Sequence, residues 1–321
     1  MQTGTTQIPA EVSAIYDRNL LYRAVALFTH TKWAQVKELP RNGGTSTIKF
    51  RRYGNLDANL TPLTEGVTPV GNQLSVTDIT ATVEQYGDFI TITDKLDYQS
   101  QDPVLIETSD ILGDQMGDTI DQLTRDILSA GTNVFYAGTA LSRATVTATD
   151  LPDLALFKKI VLLLKNNKTK RMMRMVNATD GYATEPLNAS YIGIVHPNTT
   201  YSLKDKTGFV PVEKYSSTST LMDGEVGKMD EVRFVETVNA KVFPGAGASG
   251  IDVYSTLVFG MEAYGTSRIS GEAMKMIVKP MGSAGTGDPL DQRATAGWKI
   301  TFVAKILNDD FIVRAEHAVE A

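Results

Sequence analysis

The sequence predicts a mixed α+β protein of more than one compact unit, and three stretches predict it. Two runs with strand-like alternation flank a Gly- and Pro-punctuated segment between residues 45 and 93. A long apolar stripe at helical spacing follows, within "DPVLIETSDILGDQMGDTIDQLTRDILSAG". The chain then closes on two more alternating runs in "DPLDQRATAGWKITFVAKILNDDFIVRAEHA", Asp288 to Ala318. A length of 321 residues suits two or three units of about 100 to 150 residues each.

Composition supports a folded chain and removes several function classes. Hydrophobic residues are 42% and charged residues 21%, the usage of a globular protein. The absence of cysteine excludes a disulfide framework and any thiolate metal site, so the chain depends on packing and pairing and can be assembled in a reducing cytoplasm. The opening residues lack a signal-peptide layout, and the longest aliphatic run, Ile160 to Leu164, is too short to span a bilayer, so no membrane residence is expected. Lys and Arg number 31 against 37 Asp and Glu, a net charge of −6. A protein that grips nucleic acid usually has a basic face and a high pI, whereas an acidic balance suits a wall that encloses DNA without adhering to it.

Each element has its own signal. Residues 1–10 are polar and read as an arm without a core. Ile15, Leu20, Leu21, Val25 and Phe28 recur among Arg and Asp, so a short helix and then an extended piece are expected over Ile15 to Trp33. "STIKFRRY" alternates at Ile48 and Phe50, and "VTDITATVEQYGDFITIT" alternates at Ile79, Ala81 and Val83, with Ile90 and Ile92 further on. Together they read as one long hairpin with a loose tip. Arms of about ten residues would project on the order of 30 Å, at about 3.3 Å per residue. An isolated ribbon is only marginally stable and has open edges, so it is expected to rest on a neighbouring molecule. Arg51 and Arg52 on one arm are candidates to pair with Glu84 and Asp88 on the other, to pair with an adjacent subunit, or to stand as solvated charges.

Asp102 as N-cap, Pro103 at the first position and Gly131 past the last turn bound the long helix. Leu105, Leu112, Met116, Ile120, Leu123 and Ile127 make one apolar face, and at 1.5 Å per residue the helix is about 40 Å long, a spine. Asp110, Asp114, Asp118 and Asp121 form an acidic column, read as a solvated face because hard cations want convergent oxygens rather than a row. Beyond it, "NVFYAG" reads as a strand and Asp153 to Lys165 as a buried helix. "YIGIVHPNTTYSLKD" reads as a strand turned by Pro197 into a short helix, and "GKMDEVRFVETVNAKVF" and "IDVYSTLVFGMEAYGTSRIS" as further β segments.

Motifs for chemistry are weak. Gly245, Gly247 and Gly250 satisfy G-x-G-x-x-G, but Pro244 precedes them and a strand-like run follows, the reverse of a phosphate cradle. Lys168, Lys170, Arg171 and Arg174 form the basic cluster, without interleaved aromatic residues, and read as a surface loop rather than a phosphate contact. His30, His196 and His317 have no partners at ligand spacing, and no nucleophile motif is visible. No catalytic, cofactor-binding or metal-binding residues are expected.

The segment "GSAGTGDPLDQRATAGWKITFVAKILNDDFIVRAEHA", in which Trp298 leads a strand, resembles the C-terminal signature of the major capsid proteins of tailed bacteriophages, in particular the N4-like family. "GEVGKMDEVRFVET" and "YIGIVHPNTTYSLKD" resemble internal segments of that family, in order along nearly the whole chain. The resemblance implies an HK97-like fold. Residues 1–40 would be the N-terminal arm, 41–94 the extended β-hairpin loop, 95–149 the peripheral domain with its spine helix, 150–270 the axial domain, and 271–321 strands returning to the peripheral sheet. It further implies a non-enzymatic subunit that self-assembles into hexamers and pentamers of an icosahedral head enclosing double-stranded DNA without sequence-specific binding. A separate scaffold protein, a portal and a decoration protein would be partners, with assembly in the host bacterial cytoplasm and residence in the virion. An encapsulin-like compartment shell, or a carbohydrate-binding or hydrolytic phage structural protein, are the alternatives. The expected subunit interface comprises Arg51, Arg52, Leu56, Leu60, Leu63, Val67, Glu84 and Asp88. The terminal strands are expected to pack through Trp298, Phe302, Ile306, Phe311 and Val313.

Overall fold

The structure is a computed structural model and describes residues 28–38, 46–54, 56, 58–63, 65–68, 71–99, 104–176, 184–215, 221–267, 274–283 and 287–320. The arm expected over residues 1–10, most of the helix expected over Ile15 to Trp33, and the Asp102 and Pro103 cap lie outside these residues.

The first described segment leads into β1 (Gln35–Lys37), which runs parallel to β13 (Tyr264–Ser267); β16 (Ala304–Ile306) completes this small sheet on the other side of β13. A ribbon rises from it. Strands β2 (Thr47–Tyr53) and β3 (Val76–Thr82) pair antiparallel from Thr47↔Thr82 to Tyr53↔Val76. Alternation turns Ile48, Phe50 and Ala81 to one face, where they are buried with Leu307.

The expected second arm does not continue past Val83. Apolar residues occupy odd positions through Val83 and even positions at Tyr86, Ile90 and Ile92, and one strand cannot turn both sets to the same face. The chain resolves this by changing sheets. Strand β4 (Glu84–Thr93) leaves the ribbon and pairs antiparallel with β15 (Arg293–Phe302), which pairs in turn with β14 (Met274–Lys279). The ribbon arms are therefore seven residues each.

This three-stranded platform lies on the spine helix, Val104–Leu128. Leu112, Met116 and Ile120 pack with Met274, Met276, Ala296, Trp298, Ile300 and Phe302, and Phe28 closes the cluster. The indole Nε1–H of Trp298 donates to Gln115 Oε1 at 3.0 Å, which satisfies the one polar atom the ring takes into the core. At 25 residues the helix extends about 37 Å.

A nine-stranded mixed sheet forms the rest. Its order is β5 (Val134–Tyr136), β17 (Ile312–His317), β12 (Val253–Phe259), β7 (Thr184–Val195), β10 (Val232–Glu236), β9 (Glu225–Met229) and β8 (Phe209–Pro211). Strands β6 (Met172–Val176) and β11 (Val242–Phe243) attach to β7 and β12. The helix Leu154–Asn166, capped where Asp153 accepts the Leu156 N–H at 2.8 Å, buries Phe157, Ile160 and Leu164 against Phe234, Val258 and Val313. On another core Ile192, Leu257, Phe259 and Ile312 meet Trp33, Leu128 and Tyr264. The short helix Pro197–Lys204 follows β7, as Pro197 predicts.

The terminal strands correct a second expectation. They do not complete one sheet. Trp298 and Phe302 belong to the platform core, Ile306 and Phe311 lie half-buried beside Trp33 and Tyr264, and Val313 belongs to the core beneath the Leu154–Asn166 helix. Strand β17 is buried along nearly all its length, as a central strand with neighbours on both sides must be.

Candidate assembly interface

The ribbon is fixed at its root and bare at its tip. Phe50 packs so closely on β13 that a β-carbon on Gly265 would lie 2.6 Å from ring atom Cε1. The Lys37 ammonium donates to the Lys49 carbonyl and stands 5.7 Å from the centre of the Phe50 ring. Arg52 Nη1 donates to Asn308 Oδ1 at 2.8 Å. The root therefore buries its apolar face on its own chain, where the sequence suggested a neighbour. Beyond Tyr53 the situation reverses. Leu56, Leu60, Leu63, Val67 and Leu74 are all exposed, Leu60 at 87% and Leu63 at 73%. Gly66 makes the turn with φ of +76°.

The expected cross-ribbon ion pairs have different partners. Arg51 Nε lies 3.3 Å from Asp78 Oδ1, its direct cross-strand neighbour. Glu84 and Asp88 stand on the platform instead, where Glu84 accepts from the Tyr86 hydroxyl at 2.7 Å and Asp88 accepts from Gln115 Nε2 at 2.7 Å. Burial, with Glu84 beside it, pushes the Tyr86 phenol up to about 12.

The platform has a second, outward face. Even-numbered residues of β14 and β15 point at the spine helix, so Lys275, Ile277, Lys279, Gly297 and Lys299 point away from it. Register aligns them in rows. Phe89, Gly297 and Ile277 are neighbours across β4, β15 and β14, with Phe89 68% and Ile277 44% exposed. Gly87, Lys299 and Lys275 form the adjacent row. Sequence reading missed this face. Its signal was the alternation in "MKMIVK", but the rows need the register of strands far apart in the chain.

The column of spine aspartates is not uniformly solvated. Asp121 is fully buried, and its Oδ1 accepts the backbone N–H groups of Thr29 at 2.8 Å and His30 at 2.7 Å, while His30 Nδ1 lies 2.8 Å from Oδ2. The Tyr264 hydroxyl donates to the His30 carbonyl. Asp118 accepts from Asn239 Nδ2 at 2.9 Å. From the basic cluster, Arg171 pairs with Glu231, which also holds Lys165 of the Leu154–Asn166 helix. His196 caps the Pro197–Lys204 helix, and His317 is buried beside Thr256. Among the described residues no group of three or more His, Asp or Glu converges as a metal site would require, and no helix is long and apolar enough to cross a membrane.

The family model for phage capsid protein matches residues 76–315. The chain belongs to the phage capsid protein family. The major capsid protein of Pseudomonas phage KPP21 is 26% identical over 246 residues, which cover 67% of this chain and 60% of that protein. The capsid of Ralstonia phage GP4 superimposes with a TM-score of 0.69 at 14% identity, over 93% of this chain and 88% of that one. The head structure of Helicobacter pylori bacteriophage KHP40 gives 0.64 at 13% identity, over 92% and 90%. The fold of this phage capsid protein is HK97-like. The family match begins at β3, so it takes in the platform, the spine and nearly all of the nine-stranded sheet but leaves out β1, β2 and the ribbon tip between β2 and β3.

Proposed function

We propose that the chain is a major capsid subunit that assembles with copies of itself, as hexamers and pentamers, into an icosahedral phage head around double-stranded DNA. The observation that carries this reading is the ribbon, anchored through Ile48, Phe50 and Ala81 yet presenting Leu56, Leu60, Leu63, Val67 and Leu74 to solvent. A soluble monomer rarely leaves such a concentration of aliphatic side chains bare. Each side chain contributes about 1.5 to 3 kcal/mol if fully buried by a partner. Contacts of that size suffice in a shell, because a subunit held by several neighbours leaves only when all of them release it.

The ribbon serves as the extended loop, the platform and spine as the peripheral region, and the nine-stranded sheet as the axial region. The role is structural and non-enzymatic, with a separate scaffold protein and a portal as assembly partners, decoration proteins on the finished shell, and assembly in the host cytoplasm. Deleting residues 55–73 is the test: the subunit is expected to stay soluble and folded but to form no closed shells. Normal shells from the deletion would contradict the reading.

A further inference from the structure

The ribbon is fastened to the body along one of its two strands. On β2, Phe50 packs over Gly265, the Lys37 ammonium donates to the Lys49 carbonyl, and Arg52 Nη1 donates to Asn308 Oδ1 at 2.8 Å. Strand β3 adds Ala81 to the packed face, but among the described residues it makes no polar bond to the body. Beside it a cleft of about 570 Å³ lies between Thr80 and Thr82 of the ribbon and Leu123 and Ile127 of the spine helix. Tilting of β3 into that cleft is the movement that the packing leaves open.

Arg52 closes off that movement. Alternation puts Ile48, Phe50 and Arg52 on one face of β2, with Arg52 the outermost, one residue before the strand ends at Tyr53. Apolar packing at Ile48 and Phe50 holds the ribbon down without aiming it, because burial has no preferred direction, whereas a hydrogen bond weakens steeply off its axis. The acceptor is itself held in place. Asn308 is buried, its backbone N–H donates to the Ala263 carbonyl at 3.0 Å, and its Oδ1 also accepts the Asp310 N–H at 3.3 Å. Arg52 is exposed and has no carboxylate partner among the described residues, while its neighbour Arg51, on the opposite face, pairs within the ribbon with Asp78. The entropy lost in holding so long a side chain still offsets most of what one bond to a neutral amide returns. The pair therefore gives the ribbon a direction and adds little to stability. Direction matters at the far end: seven residues at about 3.3 Å each make an arm of roughly 23 Å, so a tilt of about 10° displaces the tip by about 4 Å, a whole side-chain contact.

We infer that Arg52, through Asn308, is the positioning residue that sets the direction in which the ribbon leaves its subunit, and with it the single geometry in which copies of the chain close into a shell. This rests on the capsid-subunit reading above and deepens it by naming what selects that geometry. A closed shell repeats its contacts many times, so an error in direction that one pair of subunits tolerates accumulates around the ring.

The test uses the full-length chain and reads two quantities, the thermal midpoint of the disassembled subunit and the distribution of shell diameters by electron microscopy. The wild-type chain is expected to give one diameter. Arg52→Leu is expected to keep the wild-type midpoint and to lose the single diameter, giving shells of mixed size and open curved sheets. Arg51→Leu, which removes the same charge from the other face of the strand, is expected to retain the single diameter. One wild-type diameter from Arg52→Leu would overturn the inference and leave the capsid reading standing. Mixed diameters from Arg51→Leu would overturn it by assigning the effect to ribbon charge, and a midpoint in Arg52→Leu low enough to unfold the subunit under assembly conditions would do so by assigning the effect to stability. Absence of shells from the wild-type chain would overturn both.

Discussion

Phe50 of the ribbon and Gly265 of β13 are in direct contact, and the ring fits because residue 265 has no side chain. With Ile48, Ala81 and Leu307 this contact makes the ribbon root part of the subunit's own core. Phe50→Ala is expected to lower stability by about 3 kcal/mol, the cost of emptying a buried aromatic site. Gly265→Ala forces the ring or the strand to shift and lowers the thermal midpoint as well. Thermal unfolding checks both; an unchanged midpoint in Phe50→Ala would mean that the root is not docked.

The Asp121 carboxylate clamps the segment before β1 to the spine helix. Burial pushes its carboxyl up, but attraction to His30 and hydrogen bonds from His30 and Thr29 pull it below its ordinary value. Asp121→Ala leaves the Thr29 and His30 N–H groups without their acceptor, at about 1 to 3 kcal/mol for each buried donor. Hydrogen exchange at His30 reads the effect directly, with protection in the wild-type chain and its loss in the variant.

His317 makes stability depend on pH. Its Nδ1–H donates to the Ala318 carbonyl at 2.8 Å, so the neutral ring accepts from the Thr256 hydroxyl through Nε2 at 2.9 Å. Burial pushes this fully enclosed imidazole down from 6.5 to about 4. A lowered pKa favours the neutral form in the folded state, so the contribution is complete above pH 6.5 and is lost as pH falls towards 4. The loss is on the order of 3 kcal/mol. Asp121 adds a separate loss at lower pH, below its ordinary 3.8. Denaturant unfolding between pH 7 and pH 4 checks the first window, where His317→Gln is expected to flatten the slope.

Glu316 is buried beneath two guanidinium groups. Arg143 holds it with two bonds, at 2.8 and 2.7 Å, and Arg314 with one at 2.7 Å, while Arg143 also lies 3.4 Å from the centre of the Phe243 ring. Glu316→Ala strands the charges it neutralised and is expected to cost about 3 to 5 kcal/mol. Arg143→Ala leaves the Arg314 pair in place and costs less. Chemical denaturation of the two variants side by side distinguishes them.

Local signals in the chain predicted local structure well. The Asp153 cap, the Pro197 turn and the stripe Leu112, Met116 and Ile120 lie where their spacing places them. What failed was pairing between distant strands. Alternation through Val83 read as one long arm because periodicity says that a strand exists and not which sheet it joins; only the change of parity between Val83 and Tyr86 marked the switch. Val313 and Trp298 looked equivalent for the same reason, yet β15 and β17 lie in different sheets. Asp121 read as solvated because its burial depends on His30, which is 91 residues away. In the interface set, the exposed leucines were legible as apolar residues on a loose tip. Glu84 and Asp88 were not, since their place follows from β4 pairing with β15.

Electron microscopy of the purified full-length chain under assembly conditions tests the central claim most directly. Closed icosahedral particles built of hexamers and pentamers, with density from each ribbon tip lying on an adjacent subunit, are the predicted result. Discrete monomers whose tips fold back on their own platforms, with no lattice at any concentration, would contradict it.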